Sequence, residues 1–66
     1  MEQFFVTKKK YDWIVKHNGE EYDLTEERGT AIESARARAR DVMGKGGEAE
    51  ILVANEVGMW DKIAVD

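Results

Sequence analysis

Few side chains in this 66-residue chain could carry chemistry, and each is isolated from the partner it would need. His17 is the single histidine and no cysteine exists, so neither a thiol nucleophile nor a thiolate metal site can be assembled. A general base must reach the proton it removes, and His17 falls at the end of an apolar segment beside Asn18 with no nucleophile nearby in sequence. Ser34 lies two residues from Ile32, a step of about 200° on a helix, which directs it away from the apolar stripe and from any base. Gly44-Lys45-Gly46-Gly47 superficially resembles a phosphate loop, but it lacks the GxxxxGK[ST] spacing and follows a helical segment where such a loop precedes one. Fourteen acidic residues offer many carboxylate pairs without privileging any. The residues therefore predict no catalytic, cofactor-binding or metal site, and a non-enzymatic protein.

Basic residues form two tracts. Lys8-Lys9-Lys10 falls on a polar connection near Lys16 and is the better anion-binding candidate; a charged loop that discourages edge pairing is the commoner use of such a run. Arg36, Arg38 and Arg40 alternate along a helix, so Arg36 and Arg40 share one flank and Arg38 the other, with Glu33 in range for an ion pair. Weak nucleic-acid or anion binding through Lys8, Lys9, Lys10, Arg36 and Arg40 is thus an alternative reading. The net charge of −4 opposes it, because non-specific affinity for DNA rests on phosphate neutralisation. The same acidity permits, without favouring, a mobile-element protein that blocks a host factor with carboxylates imitating phosphates.

The segments that position these residues follow from periodicity and punctuation. The 19 residues from Thr25 to Met43 hold the one long helical pattern, with Ile32, Ala35, Ala39, Val42 and Met43 on a core-facing stripe. Its start lies at Thr25, with Glu26 and Glu27 in the first turn, or at Thr30, with Glu33 completing a capping box; Gly44 is the expected stop. Glu2–Thr7, Tyr11–His17 and Glu20–Leu24 read as strands, the last two joined by an Asn18-Gly19 type I′ turn, with Tyr22 and Leu24 inward and Glu21 and Asp23 outward. Ala49–Ala54 and Met59–Val65 make a second hairpin around Asn55–Gly58. The expectation is a single α+β domain over residues 1–66, in β-β-β-α-β-β order, with an antiparallel sheet and one helix on one face.

Trp13-x-Val15, Gly19 six residues after the Trp, a Thr leading into a helix with Ala31-Ile32-x-x-Ala35-Arg36, and a glycine-containing exit to an apolar strand together resemble the small bacterial proteins grouped as domain of unknown function 2188. The resemblance spans nearly the whole chain and implies the same element order, with no established activity. Met59-Trp60 after the last turn departs from it.

Strand parity gives the sharpest functional expectation. If Phe4, Val6, Trp13, Val15, Ile51, Val53, Ile63 and Val65 face the helix, then Phe5, Ile14, Leu52 and Trp60 point to the opposite face. An antiparallel sheet commonly shows water a polar second face, so four large apolar residues there predict a protein interface, with Trp60 as anchor. A chain this short buries only about 60% of the surface it exposes when unfolded, which favours a homodimer or another protein partner. The absence of cysteine, of a secretory apolar run and of a membrane span points to a cytoplasmic protein.

Overall fold

The computed structural model describes residues 1–66. Its elements are β1 (Glu2–Lys9), β2 (Asp12–His17), β3 (Glu20–Thr25), α1 (Arg28–Gly44), β4 (Ala49–Ala54) and β5 (Trp60–Ile63). They form a five-stranded sheet of order β3-β2-β1-β4-β5 with α1 on one face, an α+β architecture in the expected β-β-β-α-β-β order.

The sheet is mixed, which corrects the antiparallel expectation. Strands β1, β2 and β3 form an antiparallel meander and β4 pairs antiparallel with β5, but the central pair, β1 with β4, is parallel. Length explains this. A 17-residue helix spans about 25 Å at 1.5 Å per residue, close to the reach of the eight-residue β1 at about 3.3 Å per residue. It therefore carries the chain from the end of β3 back to the level where β1 began. There Glu2 N–H donates to the Glu48 carbonyl at 2.8 Å, and β4 enters beside β1 running the same way.

Turn chemistry sets the meander. Asn18 (φ 53°) and Gly19 (φ 79°) both adopt the left-handed conformation that a type I′ turn requires. At the other end β1 runs two residues further than its apolar residues suggested, and the lysine run divides: Lys8 and Lys9 are in the strand, while Lys10 and Tyr11 make a two-residue turn with Lys10 at φ 57°. In β3 the pairing slips, so that Trp13 opposes Thr25 but Val15 opposes Tyr22. One extra residue is thereby inserted in β3, with Asp23 at φ 57°. The bulge reverses the parity beyond it. Tyr22 packs against the helix-side core as expected, whereas Asp23 reaches Arg38 of the helix and Leu24 stands 64% exposed, the opposite of their sequence-based assignment.

Neither threonine caps the helix. Thr25 ends β3, and α1 begins at Arg28 with Glu27 in extended conformation at the N-cap and no side-chain cap. The helix continues through Gly44 to a C-cap at Lys45, so the expected stop at Gly44 lies two residues before the residue that ends it. Gly46 (φ 90°) supplies the left-handed residue: its N–H donates to the Met43 carbonyl at 3.0 Å and Gly47 N–H donates to the Val42 carbonyl at 3.0 Å, a Schellman closure. A side chain at Gly47 would press its Cβ to 2.8 Å from Val42 Cγ1.

The core lies between α1 and the sheet. Ala31, Ala35 and Ala39, spaced by four, have no exposed surface and rest on Phe4, Val6, Val15, Ile51 and Val53. Trp13, Tyr22, Ile32, Val42, Ile63 and Val65 close its margin. Met43, expected in the stripe, is 45% exposed. The helix packs on β1, β2, β3 and β4 and leaves β5 to be held by β4 alone on that side.

Candidate open-face interface

Strand alternation and register assign the sheet face opposite the helix. It carries Gln3, Phe5, Thr7 and Lys9 from β1; Asp12, Ile14 and Lys16 from β2; and Glu21 and Leu24 from β3. Glu50, Leu52 and Ala54 come from β4, and Trp60 and Lys62 from β5. All four residues expected on this face are here. Phe5 pairs with Leu52 across the parallel β1–β4 junction, and the Trp60 ring meets the Phe5 ring edge to face at 5.1 Å between centroids. That geometry suits the aromatic quadrupoles. The three form a continuous apolar ridge over the centre and the β5 side of the sheet.

Ile14 differs from them. It belongs to the face but is only 2% exposed, so it is covered by its neighbours and is not a contact residue. Above it lies a hollow of about 440 Å³ bordered by Lys9, Tyr11, Asp12, Glu21 and Leu24. Sequence reasoning missed Tyr11 and Leu24, which are 90% and 64% exposed and flank this hollow. The sequence pattern assigns Tyr11 to the second strand and Leu24 to the core. The first error stems from the length of β1, the second from the β3 bulge, and neither leaves a local sequence signal.

Charges on the face other than Asp12 are engaged in ion pairs. Lys9 Nζ lies 2.6 Å from Glu21 Oε1, and Lys16 Nζ lies 4.0 Å from Glu21 Oε2. Lys62 Nζ lies 3.2 Å from Glu50 Oε2, and Gln3 also donates to Glu50. The hydrogen bond from Lys9 holds the Glu21 carboxyl below its ordinary value, and those from Gln3 and Lys62 do the same for Glu50. Three lysines and three carboxylates share this face, counting Asp12, so the chain's net charge of −4 resides elsewhere.

The five residues of the anion-binding alternative are not gathered on one surface. Lys8 has helix-side parity and lines a cleft of about 500 Å³ with Thr7, Trp13, Arg28 and Glu56; Lys9 is on the open face; Lys10 is in the turn. Arg36 is engaged with Glu33 and donates from Nε to the Ala64 carbonyl at 3.2 Å. Arg40 stands 12 positions beyond Arg28, about 18 Å along the helix axis. Arg38, on the other flank, donates to Asp23 at 2.7 Å and sits 4.1 Å over the Tyr22 ring; the Asp23 hydrogen bond raises its already high pKa.

His17 stacks on Phe4 at 4.2 Å and its Nε2 lies 2.8 Å from Glu2 Oε1, an interaction that lowers the Glu2 pKa. It shares a helix-side cleft of about 470 Å³ with Ser34, Arg38 and Asp41, a proximity that helix phase alone did not reveal. The contacts of His17 go to Phe4 and Glu2. No group of three or more His, Asp or Glu side chains is placed to hold a metal ion, and no helix is long and apolar enough to cross a membrane.

Fold and face together define a small α+β domain with a mixed five-stranded sheet, one face covered by a helix and the other open, apolar at its centre and neutral. Comparison with known proteins finds no matching family model, no matching curated protein and no matching solved structure.

Proposed function

We propose that this protein is a non-enzymatic contact module that pairs with a second copy of itself through the open face of its sheet. One observation carries the reading. Phe5, Leu52 and Trp60 make an apolar ridge on a face whose three lysines and three carboxylates cancel, in a chain whose net charge is −4. Two such chains repel each other elsewhere, but these faces meet without net Coulomb cost, and an aromatic patch rimmed by paired charges is the composition of a contact surface. A nucleic acid would meet no positive field there.

Solution mass by light scattering over a dilution series tests the reading. The expected result is a dimer that dissociates reversibly on dilution, and Trp60→Glu or Leu24→Glu is expected to hold the protein monomeric with an unchanged far-ultraviolet circular dichroism spectrum. A native protein that stays monomeric at the highest concentrations reached overturns the proposal.

A further inference from the structure

Resting on that reading, we infer that the two copies are related by a twofold axis parallel to the strands above the β1–β4 junction, so that Trp60 of each copy enters the Ile14 hollow of the other. The argument is one of position. In the order β3-β2-β1-β4-β5, β5 is the second strand from the β1–β4 junction on one side and β2 the second on the other. Register places their key residues at the same height: Trp60 opposes Ala54, Ile14 opposes Thr7, and the β1–β4 pairing continues from Val6 with Val53 to set Thr7 beside Ala54. A twofold rotation about a strand-parallel axis exchanges left and right but keeps height. It therefore lays β5 over the partner's β2, and a half-exposed indole over a recess bordered by the exposed Tyr11 and Leu24.

The shapes agree. Trp60 is 47% exposed with its ring resting edge to face on Phe5, and it turns out of that contact to enter the partner's hollow of about 440 Å³, which has room for an indole and is flanked by Tyr11 and Leu24. Because the axis is off the centre of a five-stranded sheet, β3 overhangs the partner, and Leu24 becomes the outer wall against which the inserted ring rests. The bulge that turns Leu24 to this face acquires a purpose in that contact. At the centre, Leu52 lies over Phe5, apolar on apolar, and Ala54 lies over Thr7. Lys62 arrives above Lys16; Lys62 brings Glu50 at 3.2 Å, and Lys16 shares Glu21, at 4.0 Å, with Lys9, so the like charges are offset in part. A twofold axis across the strands would instead set β5 over β5 and hollow over hollow, leaving both recesses empty and their dispersion contacts unmade. Four overlapping strands at 4.8 Å spacing and about 18 Å length cover roughly 350 Å² of flat area per copy, about 700 Å² in total and below the range of stable specific interfaces, so the dimer is a weak, readily reversible one.

The chain contains no cysteine, so engineered thiols report position without background. Lys16→Cys and Lys62→Cys change exposed side chains and leave Trp60 in place. With sheets about 10 Å apart, residue 16 of one copy faces residue 62 of the other at about that distance, while 16 to 16 and 62 to 62 are roughly 17 Å apart. Full-length single variants, separately and as an equal mixture, are treated with a bis-maleimide shorter than the longer separation, and mass is measured in parallel by light scattering. The expected result is covalent dimer in the mixture and none from either variant alone. Dimeric mass with cross-linking of either variant to itself, or with no cross-linking, overturns this arrangement while self-pairing stands. Monomeric mass of the native protein at the highest concentrations reached overturns both.

Discussion

Single residues in this protein hold conformations their chemistry disfavours. Lys10 at φ 57° sits where a Cβ crowds the following carbonyl, at a cost of about 1–2 kcal/mol relative to glycine, and turns the chain in two residues between β1 and β2. Lys10→Gly removes that crowding but also frees the unfolded chain, so the expected net gain is about 0.5–1 kcal/mol, read as a higher urea midpoint at unchanged slope. Asp23 pays a similar strain at the β3 bulge, yet its carboxylate is engaged by Arg38, which ties the bulge to the helix. Asn55 organises the last hairpin more economically. Its side-chain oxygen accepts from Val57 N–H at 3.1 Å and Met59 N–H at 3.0 Å, and its amide donates to Asp61, so one side chain closes the turn before Trp60 and fixes where the anchor emerges.

Between elements, the decisive contact is the alanine row on the sheet. Ala31, Ala35 and Ala39 have no exposed surface, and their smallness brings the helix axis close to Val6, Val15 and Val53. Ala35→Leu should force the helix away from the strands and destabilise the fold by about 1–3 kcal/mol, because a packed core has no room for the added carbons. For a domain of this size that corresponds to a fall of roughly 4 °C or more in the thermal midpoint, checked by calorimetry. The stripe was legible in part. Ile32, Ala35, Ala39 and Val42 were found from a 3.6-residue period, but Ala31 replaced Met43 because the helix rotates to set small residues against the sheet, leaving the flexible Met43 near the exit in water. The helix start was ambiguous between two threonines for a related reason. The chain needed to cross from β3 to the sheet face, and that geometry, rather than a hydroxyl cap, placed the first turn at Arg28.

Across the whole molecule, charge is segregated by face, and acid should expose that arrangement. Glu2, Glu21 and Glu50 all have pKa values below their ordinary 4.5, through hydrogen bonds from His17, Lys9 and Gln3 respectively as the leading causes. A carboxyl depressed in the folded state contributes stability that is fully present above its unfolded pKa and is lost as pH falls through the lower folded value. Stability is therefore expected to hold down to about pH 4.5 and to decline below it. These groups are exposed and solvent-screened, so each contribution is small; replacing all three by Gln should flatten thermal midpoint against pH between 5 and 3. A native profile already flat across that interval would show that these bonds do not persist in solution.

What the sequence determined by itself was local: six elements in order, the Asn18-Gly19 turn, the residues of β4, and the division of Phe4, Val6, Val15, Ile51 and Val53 from Phe5, Leu52 and Trp60, because alternation and turn chemistry act over a few residues. Tertiary structure decided the rest. The parallel β1–β4 pair follows from the helix length matching the sheet, and the exposure of Leu24 from a bulge that shows no signature in its own residues. The burial of Ile14 beside an open hollow, and the scattering of Lys8, Lys9, Lys10, Arg36 and Arg40, are likewise products of where distant strands meet. Whether a face is flat, ridged or recessed depends on which strands become neighbours, and for β1 and β4 that was set across 39 residues of intervening chain.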